Sequence, residues 1–123
     1  MAKLLAMCCI AMIAGFTVKT WAGEREALWL VQTIPLPGVP GRLDHMAVDL
    51  EKKRLFVAAV ANGTLEVLDL AAGKVINRIA GIKDAQDALF LGGHFNKLYV
   101  SSLDGTLRIF QAETFRLVQA LKL

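Results

Sequence analysis

Arg42, Asp44 and His45, inside the run Gly41-Arg42-Leu43-Asp44-His45, are the residues of this chain whose types and spacing could do chemistry. A guanidinium, a carboxylate and an imidazole this close in sequence can bind an anion, orient a water or ligate a metal. Asp44 follows Gly38-Val39 as Asp87 follows Gly81-Ile82, so a repeated role, bonding backbone N–H groups at the start of a strand, explains both aspartates. His45 is different, because Ala88 stands where its copy would fall. Arg42, Asp44, His45 and Asp87 are therefore the candidate ligand-binding residues, with His45 the one least explained by repetition.

No catalytic residue is expected. Ser101 and Ser102 fall at a strand end without the Gly-x-Ser-x-Gly elbow that exposes a nucleophile, and no phosphate-binding glycine loop is present. His94, in Gly92-Gly93-His94-Phe95-Asn96, belongs to a different turn from His45. Without a His-Glu-x-x-His, Cys-x-x-Cys or aspartate-rich calcium loop, neither a metal nor a cofactor is expected. Glu51-Lys52-Lys53-Arg54 reads as a solvated hairpin turn rather than a phosphate-binding patch. Trp29, Phe56, Tyr99 and Phe110 fall on strands, where packing outweighs stacking on nucleic acid.

The first 22 residues read as a helical secretory leader. Lys3 supplies the positive start, residues 4–18 carry no charge, and Thr20-Trp21-Ala22 offers small residues at a cleavage site. That apolar run is shorter than the roughly 20 residues a spanning helix needs, so export to a bacterial periplasm or medium is expected, with no stable membrane span after cleavage. Cleavage would remove Lys3 and Lys19, taking the Lys and Arg count from 14 to 12 against 11 acids. The positive surplus nearly vanishes, and nucleic acid becomes a poor partner. Cys8 and Cys9 leave too, so the exported part has no disulfide and no thiol.

What must position the candidate residues is written twice. Residues 46–81 and 88–123 repeat one pattern at a spacing of 42 to 43. Arg54-Leu55-Phe56-Val57 answers Lys97-Leu98-Tyr99-Val100, and Asn62-Gly63-Thr64-Leu65 answers Asp104-Gly105-Thr106-Leu107. Short runs rich in Val, Ile, Leu and Phe predict strands over 46–49, 55–60, 64–70 and 75–80, then over 87–91, 98–102, 106–111 and 116–122. A partial copy over 29–36 predicts one more strand upstream, since Leu30-Val31-Gln32 repeats as Leu117-Val118-Gln119. Asn62-Gly63 and Asp104-Gly105 predict tight hairpins with positive φ at both central residues. Pro37 and Pro40 make 36–41 a connector.

Four short strands in a repeat of this length are the pattern of a β-propeller blade. The expected fold is all-β: a leader over 1–22, a closing strand and connector over 28–44, and four-stranded antiparallel blades over 45–86 and 87–123. A closed ring needs at least about four blades. The chain is therefore expected to be the N-terminal part of a longer protein, or to close a ring by self-assembly. In a propeller the fourth-to-first connectors and the second-to-third turns share one face around the channel. Arg42, Asp44, His45 and Asp87 are expected there.

Residues 41–49 together with Leu55-Phe56-Val57-Ala58-Ala59 resemble the YVTN or YncE-like β-propeller proteins of bacteria, and the likeness covers about residues 30–123. Tyr99-Val100-Ser101-Ser102 stands where that family carries Tyr-Val-Thr-Asn. The resemblance implies a seven-bladed, exported scaffold, with DNA binding in some members and lactonases among related propellers. The expected function is a noncatalytic scaffold binding an unidentified ligand or protein. Its rivals are a lactonase-like hydrolase with catalytic groups in other blades, and single-stranded DNA binding.

Overall fold

The computed structural model describes residues 28–123, and the expected leader lies outside them. The apolar alternation resolves into eight strands: β1 (Leu43–Asp49), β2 (Arg54–Ala59), β3 (Thr64–Asp69), β4 (Lys74–Ala80), β5 (Ala85–Leu91), β6 (Lys97–Ser102), β7 (Thr106–Gln111) and β8 (Leu117–Lys122). They form two four-stranded sheets, β1-β2-β3-β4 and β5-β6-β7-β8. Sequence order equals spatial order, so hairpins make every connection within a sheet. The expected all-β class and paired four-stranded antiparallel units are what the chain adopts.

The hairpins differ from expectation in detail. Ala59 pairs with Thr64 and Ser102 with Thr106, so the loops run over 60–63 and 103–105 rather than over two residues. Positive φ falls on Gly63 (65°) and Gly105 (71°) but not on Asn62 or Asp104. The polar residue acts through its side chain instead. Asn62 Nδ2 donates to Thr64 Oγ1 at 3.0 Å, and Asp104 Oδ1 accepts from the Thr106 amide at 3.0 Å. A single left-handed glycine closing the loop, with its N–H on Val60 or Ser102, supplies the twist.

Strand alternation gives each sheet two faces, called here leading (toward the N-terminus) and trailing. The trailing face of the first sheet presents Phe56, Ala58, Leu65 and Val67, all fully buried. Against it lies the leading face of the second sheet, with Ala85, Ala88, Leu98, Val100 and Phe110, and Ile82 and Ala112 complete the cluster. Phe56 and Phe90 tilt against each other with ring centroids 5.6 Å apart. Each large apolar side chain buried here contributes about 1.5–3 kcal/mol. The core is thus the seam between the sheets, and neither sheet has a core of its own.

Arg54 corrects the reading of residues 51–54 as a solvated turn. It begins β2 on the trailing face, is 7% exposed, and bridges the seam. Its Nε and Nη2 donate to Asp49 Oδ2 at 3.0 and 2.7 Å, and its Nη1 donates to the Ala112 carbonyl at 2.9 Å. Phe56 and Phe115 flank the guanidinium, 5.5 and 5.8 Å from its carbon. Strand parity, not local charge, decided its burial.

Residues 29–36 carry no strand ladder, so the expected closing strand is not formed as a strand here. No strand among the described residues pairs with it, and the segment instead lies on the leading face of the first sheet. Ile34 and Leu36 are half-buried there, lining a cavity with Met46, Leu55, Val57 and Leu68 of that face. Arg78 fixes the connector by donating from Nη2 to the Pro37 carbonyl at 2.9 Å, while its Nε meets the fully buried Glu66 carboxylate at 2.7 Å.

Candidate functional site

Three of the four candidate residues come together. The connector over 37–42 returns the chain to β1, where a register shift between Leu43 and Met46 lifts Asp44 and His45 out of the ladder. The Arg42 carbonyl accepts from the Val60 amide at 3.1 Å, which ties this connector to the β2–β3 turn. Asp44 then sits between two donors. Arg42 Nη2 lies 3.1 Å from its Oδ2, and His45 Nδ1 lies 2.9 Å from its Oδ1. Arg42 and His45 stay largely in solvent, with side chains 63% and 70% exposed, whereas Asp44 is mostly covered at 21%.

The second sheet adds a residue that sequence reasoning missed. Gln86, turned to satisfy both neighbours, donates to Asp44 Oδ2 at 3.1 Å and accepts from Arg42 Nη2 at 3.2 Å. The cluster is therefore shared by both sheets. The signal lay in the ladder register: Leu43 opposes Ala59 and Ala85 opposes Ser102, so Gln86 follows Ala85 as Asp44 follows Leu43.

That register also separates Asp87 from Asp44. Asp87 pairs with Ser101 on the trailing face, at the level of His45, because the β5–β6 turn holds one residue more than the β1–β2 turn. With Leu89, Tyr99, Ser101 and Leu107 it lines a shallow cavity of about 200 Å³, away from the cluster. Neither Asp44 nor Asp87 accepts a backbone N–H among the side-chain bonds of the described residues. Asp49, Asp69 and Asp104 do, at turns.

Chemically, the cluster offers donors and an acceptor together. With Nδ1–H directed at Asp44, His45 presents Nε2 outward as an acceptor, and Arg42 keeps N–H groups free for an anionic oxygen. Among the described residues no three His, Cys, Asp or Glu side chains gather closely enough to hold a metal ion.

No family model matches the chain, and no curated protein matches it in sequence. Solved structures match it in shape. Sqt1 of Saccharomyces cerevisiae superposes with a TM-score of 0.59 at 15% identity, over 67% of this chain and 21% of its own. Apo AztD of Citrobacter koseri gives 0.56 at 20% identity, over 68% and 24%. Hydrazine synthase of Kuenenia stuttgartiensis gives 0.60 at 13% identity, over 67% and 24%. The two sheets are β-propeller blades. This chain spans about a quarter or less of each of those proteins, and the likeness is one of fold.

In blade terms, the cluster lies where fourth-to-first connectors meet second-to-third turns. The Ile82 amide reaches the Gly63 carbonyl at 2.9 Å and the Leu123 amide reaches the Gly105 carbonyl at 2.8 Å, the same link in both blades. At the opposite end, Arg54, Asp49, Lys52, Glu113 and Asn96 form a second polar group. Glu113 is held below the usual carboxylate range chiefly by Lys52, with help from Asn96 and Arg54 and against some burial. Asp49 is also lowered: burial pushes it up, but the Lys52 and Glu51 amides and Arg54 outweigh that. This end is a structural clamp, and His94, in the neighbouring 92–96 turn, is tilted against Phe95 with ring centroids 4.1 Å apart.

Proposed function

We propose that this chain contributes blades of an exported, YVTN/YncE-like propeller that serves as a noncatalytic binding scaffold. Its ligand contacts Arg42, Asp44, His45 and Gln86. The observation that carries this reading is that Gln86 of the second blade completes the first blade's Arg42–Asp44–His45 group. A group assembled across two blades depends on their docking, as a scaffold's ligand site does, while the exposure of Arg42 and His45 leaves it open to an incoming molecule.

The arrangement suits a ligand with an anionic oxygen for Arg42 and a hydroxyl or N–H for His45 Nε2, such as a small hydroxy acid. Titration of the purified protein with lactate, malate, gluconate and inorganic phosphate, followed by His45 side-chain NMR, tests it. His45→Ala and Arg42→Ala should each abolish the response, and His94→Ala should leave it intact. Equal losses from His45→Ala and His94→Ala, or silence of His45 toward every probe, would reject the assignment.

A further inference from the structure

The β2–β3 turn sets an asparagine directly before a glycine, Asn62-Gly63. An asparagine side chain is open to attack by the backbone nitrogen of the next residue, and glycine, with no Cβ, shields that nitrogen least. Asn77 and Asn96 are followed instead by Arg78 and Lys97. In the folded turn both reacting groups are tied down. The Gly63 N–H donates to the Val60 carbonyl at 3.1 Å, and the Asn62 side-chain amide donates to Thr64 Oγ1 at 3.0 Å. The Gly63 carbonyl accepts from the Ile82 amide at 2.9 Å, which anchors the turn to the connector between the blades. Thr64 in turn gives its hydroxyl proton to Glu66 Oε1, 2.7 Å away, so toward residue 62 it can only accept. Thr64 is 4% exposed and Glu66 fully buried. The second blade carries the opposite pairing at the same places. Asp104 stands where Asn62 does and Arg108 where Glu66 does, and Arg108 Nη2 donates to Asp104 Oδ2 at 3.2 Å. An acid at the turn goes with a cation on the strand, and an amide at the turn goes with a carboxylate.

We infer that Asn62 is a deamidation site kept unreacted by its own turn, and that its conversion weakens the first blade. The Gly63 nitrogen loses its proton to hydroxide and attacks Asn62 Cγ. The new N–Cγ bond closes a succinimide ring as the bond from Cγ to the side-chain nitrogen breaks, and ammonia leaves with a proton taken from water. Water then opens the ring at either carbonyl, leaving aspartate or isoaspartate. The Gly63 proton must be released and the Asn62 amide must turn, so the bonds to Val60 and Thr64 have to open first. The turn therefore reacts when it opens and stays intact while closed. Once formed, the carboxylate has no proton for Thr64 Oγ1 and adds a second negative charge to the relay that ends on buried Glu66. Arg108 answers the acid in the second blade, but the first blade has a carboxylate at that place.

Incubation of the intact chain at mildly alkaline pH, with and without denaturing urea, followed by peptide mass spectrometry, tests the first half. In urea the peptide holding Asn62 should gain the mass of an amide-to-acid conversion well ahead of those holding Asn77 and Asn96. In buffer the same conversion should run at least about tenfold slower, the ratio set by how rarely the turn opens. Urea denaturation of Asn62→Asp tests the second half: its midpoint should fall below that of wild type, and the drop should shrink by half or more when Asn62→Asp is compared with its parent in a Glu66→Gln background. The rate comparison and the single Asn62→Asp variant need no second substitution, so both stand even where Glu66→Gln does not fold. Equal rates with and without urea, an Asn62 that lags behind Asn77 or Asn96 in urea, an Asn62→Asp chain as stable as wild type, or an undiminished drop in the Glu66→Gln background would each overturn the inference.

Discussion

Arg54 on the first blade donates to the main-chain oxygen of Ala112 on the second at 2.9 Å, so a buried cation spans the seam. Its Nε and Nη2 donate to Asp49, which is itself 3% exposed. Removing the arginine leaves a buried carboxylate and a buried carbonyl without their partner. Arg54→Ala should therefore lower stability by about 3–5 kcal/mol, read as a shift in the urea midpoint. The pair Asp49→Asn with Arg54→Met should recover most of that loss. An Arg54→Ala protein as stable as wild type would show that the bridge contributes nothing net.

Acid should attack the same place. Asp49 has a folded pKa below its ordinary 3.8, so its contribution is complete above that value and is lost as pH falls through the lowered one. Glu113 is displaced in the same direction. Stability should stay level from pH 7 to about 5 and decline below about 4, and Asp49→Asn should flatten the decline. A wild-type protein whose stability rose on acidification would contradict this sign.

Glu66 has no solvent exposure, and Arg78 is its counter-charge as well as the anchor of Pro37. Arg78→Ala should destabilise by about 2–4 kcal/mol, less than a fully buried pair because the guanidinium is partly wet. The same change should speed proteolysis within residues 28–38. Unchanged cleavage there would mean that the arginine does not hold the segment.

Gly73 and Gly93 share a left-handed backbone, with φ of 65° and 62°, but only Gly73 has a neighbour in the way. A Cβ at Gly73 would lie 2.5 Å from Gln32 Nε2, whereas at Gly93 nothing lies within 4 Å. Gly93→Ala should cost about 1 kcal/mol in thermal denaturation, from backbone conformation alone. Gly73→Ala should cost about the same, because the Gln32 amide is the far end of a flexible, exposed side chain and can swing aside. A clearly larger cost at Gly73, relieved by adding Gln32→Ala, would show that Gln32 is held in place.

The repeat, the strand content and the grouping of Arg42, Asp44 and His45 were legible in the sequence because each depends on local pattern: turn residues, alternation and nearness along the chain. Arg54 was not, since a basic run at a turn looks solvated until the pairing register shows which face its last member takes. Gln86 was hidden for a related reason. The turn-length difference carries the sequence alignment off by one residue in β1 and β5, which pairs Asp44 with Asp87 on paper and with Gln86 in space. Residues 29–36 read as a strand because they copy 116–122, but a ladder also needs a neighbour, which a matching segment does not supply.

The unequal turns at one end of the blades, 50–53 against 92–96, leave β2 and β6 in matching positions across the seam. An inserted residue is absorbed before it reaches the packed strands. The turns are nonetheless not free, because Lys52 and Asn96 both hold Glu113, the Lys52 amide holds Asp49 and the Asn96 carbonyl holds the Ala112 amide. The extra residue of 92–96 is accommodated beside contacts that lock one blade to the next, so a graft into either turn keeps the scaffold only where it spares Lys52 and Asn96.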